Sequence, residues 1–223
     1  MSSYDLIIFD CDGTLVGSEY LNNKVCGDLL RNFGLAEYTT EKCIIEFSGK
    51  SWTEIRQILN TRHECEIPQS LIEEYIAGVN RERADLLEPI DGALECVQKC
   101  AEKTKVAVGS NGQRGNVIQS LEMLGFLDIF TEETIFTRIQ VQNPKPHPEL
   151  FFLAAKEMDA EPAKCLVIED SPTGVLAGVA AGMEVWGFIG TAYDPKSQEK
   201  ALIDAGATRI FDDFIHITSA LSL

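Results

Sequence analysis

Residues 7–15, IIFDCDGTL, set two carboxylates, Asp10 and Asp12, at the end of an apolar run and break at once with Gly13. A carboxylate next to a core is costly unless it is paired or bound to something. Residues 4–9 read as a short, largely apolar strand, so the carboxylates fall at its carboxyl end. The rest of the chain must say what they hold there.

Working outward, residues 18–83 turn helical and mixed in polarity, with apolar spacing at Leu21, Val25, Leu29 and Leu30 and again at Ile55, Ile58 and Leu59. Residues 70–87 read as a further helix, and no strong strand run interrupts this stretch. EPIDG, residues 88–92, is a break carrying Pro89 and Gly92. Beyond it strand-like runs (KVAVGSNG, ETIFT, KCLVIEDSPTG, MEVWGFIG, ATRIF) alternate with helical segments near 92–102, at 114–124, from Pro148 and over GVLAGVAAG. That rhythm means βα units and a mostly parallel sheet. The expected fold is α/β: a Rossmann-like parallel-sheet core formed by 1–16 and 88–223, with an α-helical cap domain, 17–87, inserted after the first strand. Ligands of open α/β sheets bind at the carboxyl edge, and the insert leaves the core at that edge.

The chain has 223 residues, 45% hydrophobic and 24% charged, with a formal net charge of −16. The acidic balance argues against a nucleic-acid partner, since no basic excess exists to neutralise phosphates. It leaves room for a small phosphorylated metabolite, because one basic side chain or a bound cation reverses the potential within a cleft. With no long apolar span and no signal-like leader, no membrane partner and a cytoplasmic location are expected. Seven scattered cysteines read as reduced, mostly buried thiols, and three histidines make a His-based zinc site a poor fit. No coiled coil or large apolar repeat points to an assembly, so a monomer is the default.

Three strand ends carry polar chemistry: Asp10, Asp12 and Thr14; Ser110 and Asn111; and Glu169, Asp170 and Ser171. Between the last two, NPKPHPE holds Lys145 between prolines that stiffen the backbone. Clustered carboxylates repel and shift toward protonation unless a cation compensates. Oxygen donors without nearby sulfur or imidazole suit a hard ion, Mg²⁺ first. Asp10 and Asp170 would supply two carboxylates and the Asp12 backbone a carbonyl, while Lys145 adds fixed positive charge and Ser110 and Asn111 offer hydrogen bonds to phosphoryl oxygens. A carboxylate can then attack phosphorus, with Asp10 as nucleophile. Asp12 would protonate the leaving alcohol and later deprotonate water.

These residues resemble the ordered motifs of the haloacid dehalogenase-like superfamily. Asp10-Cys11-Asp12-Gly13-Thr14-Leu15 is similar to its first motif, Ser110-Asn111 to its second, Lys145 within PKPHPE to its third and Glu169-Asp170 to its fourth. EDSPTGVLAGVAAGM, 169–183, resembles the branch holding β-phosphoglucomutase and many sugar-phosphate phosphatases. The resemblance implies Asp10 as nucleophile and metal ligand, Asp12 as acid/base and carbonyl ligand, Ser110 and Lys145 as phosphate binders, and Asp170 as direct metal ligand with Glu169 nearby or acting through water.

Asp12 argues against dehalogenation, which needs no leaving-group acid. Where related mutases carry a cap arginine, GKSWT (49–53) has Trp52, and GSEYLN replaces the usual aspartate and histidine with Gly17 and Asn22. Both departures favour hydrolysis over transfer between sugar positions, so a phosphatase is expected, with a phosphosugar mutase or a catalytically weak binding protein as alternatives. Glu19, Lys50 and Trp52 are candidates for substrate specificity, each also readable as ordinary helical surface or core. His147 reads as shaping its loop, and Arg114 as either a surface group or a reach toward the site.

Overall fold

The computed structural model describes residues 4–48, 50 and 52–222. In chain order the strands and helices are β1 (Leu6–Phe9), β2 (Val16–Gly17), α1 (Glu19–Asn32), α2 (Thr40–Phe47), α3 (Trp52–His63), α4 (Ser70–Leu86), β3 (Glu88–Pro89), α5 (Ala93–Ala101), β4 (Lys105–Ser110), α6 (Arg114–Met123), β5 (Ile135–Thr137), α7 (Glu149–Glu157), β6 (Cys165–Glu169), α8 (Pro172–Ala180), β7 (Glu184–Phe188), α9 (Pro195–Ala205), β8 (Arg209–Phe211) and α10 (Phe214–Ala220).

The main sheet is six-stranded in the order β5-β4-β1-β6-β7-β8, and every pair in it is parallel. β1 pairs with β4 on one side and β6 on the other, and all four of its residues are buried. A strand covered on both faces by crossover helices reads as a continuous apolar run, which is why LIIF shows no alternation. The chain fills the sheet from β1 through β4 to β5, then returns to place β6 against the other side of β1. The order therefore reverses between β1 and β6, and a crevice opens at the carboxyl ends of these two strands.

One face of the sheet packs Leu6, Ile8, Ala107, Cys165, Val167 and Val185 against Leu150, Phe151, Ala154, Val175 and Ala177 of α7 and α8. Local sequence sets where the helices begin. Ser171 caps α8 by accepting from Gly174 N, and Asp194 caps α9 by accepting from Ser197 N, each followed by a proline at the first helical position.

The chain divides into two compact units, one holding the residues up to Gly17 and from Glu88 on, the other Ser18–Leu87. Where the chain leaves and rejoins the sheet unit, β2 and β3 form a two-residue antiparallel pair with Gly17 opposite Glu88. The second unit is helical, with its own core of Cys26, Leu30, Tyr38, Cys43, Phe47, Trp52, Ile55, Leu59, Ile67 and Leu71. None of the seven cysteines is in a disulfide, and six are buried. Among the described residues, no helix is long and apolar enough to cross a membrane.

Candidate active site

Asp10 follows β1 directly, and Glu169 ends β6 on the far side of the crevice. Lys145 joins them. Its ammonium donates to Asp10 Oδ1 at 2.7 Å, Glu169 Oε1 at 2.6 Å and the Gly109 carbonyl at 2.6 Å, which uses all three of its protons. The three side chains are almost wholly buried, with Lys145 5%, Asp10 7% and Glu169 0% exposed. Burial pushes the Asp10 carboxyl well above the usual carboxylate range; Lys145 pulls it back, and the Glu169 charge pushes it up again. Burial works against the Lys145 charge, yet Asp10 and Glu169 outweigh it and hold the ammonium protonated. An ion group this deep persists only when each charge is met, and here two carboxylates share one cation.

Asn111 fixes the lysine from behind. Its Nδ2 donates to the Lys145 carbonyl at 3.0 Å and its Oδ1 accepts from the Lys145 backbone N–H at 3.1 Å. The amide expected to meet a phosphoryl oxygen is thus engaged in holding the Lys145 loop, whose Lys145-Pro146 peptide is cis. His147 is half exposed and its Nδ1 accepts from Glu149 N at 3.3 Å, which agrees with a loop-shaping part. Arg114 donates to the carbonyls of Ile135 and Glu132 at 2.6 and 2.7 Å and braces that segment.

The turn after β1 is shaped around Asp170. Gly13 has φ +85°, and a Cβ there would lie 2.1 Å from Asp170 Oδ2, so glycine is required for both conformation and space. Thr14 Oγ1 donates to Asp170 Oδ1 at 3.4 Å, a long contact. Asp12 is exposed on the same turn, with its Oδ2 close to Gly112, whose N–H donates to Ser110 Oγ at 2.9 Å. That leaves the buried Ser110 its own hydroxyl proton to donate.

Asp10, Glu169 and Asp170 each bring one carboxylate oxygen within 4.8 Å of the others. The donor set is all oxygen and fits a hard cation. Glu169 is the most committed of the three, since Oε1 accepts from Lys145 and Oε2 accepts from both Ser171 N and Ser171 Oγ at 2.9 Å. The three bonds of the Lys145 ammonium go to Asp10 Oδ1, Glu169 Oε1 and the Gly109 carbonyl, so Asp10 Oδ2 and the Asp170 carboxylate are not taken up by the lysine.

Glu19, Lys50 and Trp52 lie in the helical unit. Glu19 accepts from the buried Asn23 Nδ2 at 3.1 Å, an amide that also reaches Ser48 Oγ at 3.2 Å. Lys50 is exposed. Trp52 is buried and stacks on Tyr75 with ring centroids 4.9 Å apart, and its indole N–H has no hydrogen-bond partner among the described residues. Gly49 and Ser51 of the same stretch lie outside the described residues.

A family model described as haloacid dehalogenase-like hydrolase matches residues 7–188, a span that contains every one of these sheet-edge residues. The chain belongs to this family. It is 33% identical over 189 residues to the 6-phosphogluconate phosphatase of Escherichia coli, covering 84% of each chain. It is 28% identical over 181 residues to that organism's fructose-1-phosphate phosphatase, covering 81% of this chain and 94% of the relative. Among solved structures, a Deinococcus radiodurans hydrolase of the family, determined with phosphate and sodium bound, superposes with a TM-score of 0.85 at 29% identity over 100% of this chain and 96% of the other. This haloacid dehalogenase-like hydrolase is an enzyme of the phosphatase type, with a carboxylate group able to hold a metal ion.

The sequence pointed to each strand end but missed how they are wired. Asn111 as a clamp on the lysine backbone, and Glu169 as the lysine's second counter-charge, are pairings between segments remote in sequence. Thr191, whose Oγ1 donates to the Gly13 carbonyl at 2.9 Å, and Gln198, whose Nε2 donates to the Asp170 carbonyl, carry no local motif that marks them.

Proposed function

We propose that this hydrolase is a Mg²⁺-dependent phosphatase that cleaves small sugar, polyol or sugar-acid phosphates through an aspartyl-phosphate on Asp10. The observation that carries this reading is the buried lysine bonded at once to Asp10 and Glu169, with the Asp170 carboxylate beside them and the exposed Asp12 on the next turn. Lys145 locks one oxygen of Asp10 and leaves Oδ2 to attack. A bond forms from Oδ2 to phosphorus as the bond from phosphorus to the leaving alkoxide oxygen breaks, and Asp12 gives that oxygen its proton. Asp12, now a carboxylate, takes a proton from water as the water attacks phosphorus and frees Asp10 and inorganic phosphate. The Ser110 hydroxyl donates to the phosphoryl oxygens, and the fixed charge of Lys145 stabilises the negative charge passing through them. Asp10, Asp170 and the Asp12 carbonyl, with Glu169 beside them, would hold Mg²⁺, which supplies the positive charge that lets one anion approach another.

The substrate class rests on the phosphatases of 6-phosphogluconate and fructose 1-phosphate that the chain is similar to. On this reading residues 17–87 act as a cap, with Glu19, Lys50 and Trp52 toward the part of the substrate beyond the phosphate. Seven cysteines without a disulfide suit a reducing cytoplasm. The test is phosphate release from a panel of sugar, polyol and sugar-acid phosphates, with Mg²⁺ and with chelator, beside Asp10→Asn. Metal-dependent turnover that the variant abolishes is expected. Turnover indifferent to chelator, or surviving in Asp10→Asn, would overturn the mechanism.

A further inference from the structure

The segment after β7 holds both carboxylate-bearing turns from outside. Thr191 Oγ1 donates to the Gly13 carbonyl at 2.9 Å, on the turn that carries Asp10 and Asp12. Seven residues on, Gln198 Nε2 donates to the carbonyl of Asp170. Both donors lie in backbone held by local hydrogen bonds. Gln198 sits in the first turn of α9, where its own N–H bonds the Asp194 carbonyl at 3.0 Å, and that helix start is fixed by the Asp194 cap and Pro195. Thr191 follows Ile189, whose N–H bonds the Phe211 carbonyl at 2.8 Å and so anchors the segment to the sheet edge.

The two turns need such a tie. Asp10, Glu169 and Asp170 crowd within 4.8 Å, and the one ammonium among them reaches Asp10 and Glu169 but not Asp170. Before a cation binds, repulsion between Asp10 on the β1 turn and Asp170 on the β6 turn works against their close spacing. The two turns also meet closely, with no room for a side chain at Gly13 beside the Asp170 carboxylate. A hydrogen bond from one common segment to each turn ties their separation whether or not a cation is present.

We infer that Thr191 and Gln198 are positioning residues that preset the spacing of Asp10 and Asp170 and thereby fix the affinity of the site for a divalent cation. The inference rests on the metal reading given under the proposed function. Groups that orient metal ligands without touching the metal change affinity by about 10–100-fold when removed, and the same size of effect is expected here. It does not ask either residue to touch substrate.

The test is Mn²⁺ binding to the whole protein without substrate, followed by electron paramagnetic resonance of the free ion. Wild type is compared with Thr191→Val and Gln198→Met, which keep shape and lose the donor, with Thr191→Ser, which keeps it, and with Asp170→Asn as the no-site control. The Val and Met variants should bind about tenfold or more weakly with wild-type circular dichroism, Thr191→Ser should bind as wild type, and saturating Mg²⁺ should restore kcat in both weak variants. Wild-type affinity in Thr191→Val and Gln198→Met would overturn the inference alone, as would equal losses in Thr191→Ser and Thr191→Val. Wild type binding no better than Asp170→Asn would overturn the metal reading itself along with it.

Discussion

Replacing Lys145 with methionine keeps most of the side chain's volume and removes its charge. The ammonium donates at 2.6–2.7 Å to Asp10, Glu169 and the Gly109 carbonyl, and its removal strands two buried carboxylates. Breaking a buried pair by deleting one partner costs about 3–5 kcal/mol, and with two anions left behind the upper part of that range applies at neutral pH. At roughly 2–4 °C per kcal/mol for a chain of this size, Tm should fall by about 10–15 °C. The loss should also depend on pH. Burial already holds the Asp10 carboxyl well above the usual range against the pull of Lys145, and without the lysine it rises further. A carboxyl raised in the folded state favours folding while it is protonated and loses that contribution as pH rises through its folded pKa. The deficit of Lys145→Met should therefore be small in mild acid and grow toward alkaline pH. The assay is urea unfolding across that pH series with chelator present, beside Lys145→Met/Glu169→Gln. The double variant carries one fewer stranded charge and should recover about 2 kcal/mol while remaining inactive. A single variant as stable as wild type at neutral pH, or a double variant no better than the single, would refute the reasoning.

Three further outcomes follow from other contacts. Asn111→Ala removes both hydrogen bonds that clamp the Lys145 backbone and should lower kcat by about 10–100-fold, since misplacement of about 1 Å costs that order, with Asn111→Asp failing too because it cannot donate to the Lys145 carbonyl; steady-state kinetics at saturating metal checks both. Gly174→Ala inverts the usual helix rule: alanine normally stabilises a helical glycine site by about 1 kcal/mol, but a Cβ here would lie 1.6 Å from Glu169 Oε1, so a loss of about 2 kcal/mol in thermal unfolding and a collapse of activity are expected. Glu184 is pulled below the ordinary carboxylate range although its partial burial works the other way, because Tyr4 and Trp186 each donate to it at 2.7 Å. Its contribution is present above that range and lost as pH falls through the lowered pKa, so Glu184→Gln should remove about 1 kcal/mol near neutrality and flatten the acid limb of the stability curve.

The legible parts of this molecule are those where one short segment carries its own physics. An uninterrupted apolar run ending in Asp10 and Asp12 announces a doubly covered parallel strand with chemistry at its end, and the βα rhythm beyond residue 88 gives the sheet. The β2–β3 pair was not legible, because two residues are too few to show a period, and EPIDG read only as a break. Lys145 stood out between its prolines, but nothing in its neighbourhood says that two carboxylates flank it; that follows from β6 returning to the far side of β1. Asn111 read as a donor for phosphoryl oxygens, whereas its amide is matched to a backbone 34 residues away. Gln198 sits on a helix whose Asp194-Pro195 start is a clear local signal, but its contact with Asp170 is again set by the sheet order.

In the proposed reaction Asp10 carries the phosphoryl group. The most direct measurement mixes enzyme with a turned-over sugar phosphate and Mg²⁺, quenches in acid within one turnover, reduces with borohydride and sequences the peptide around residue 10 by mass spectrometry. An aspartyl-phosphate is reduced to homoserine, so homoserine at position 10, absent when substrate is omitted, is the expected result. Phosphate release in the same quench with position 10 still aspartate in every fraction, and the modification absent or on another carboxylate, would contradict the account.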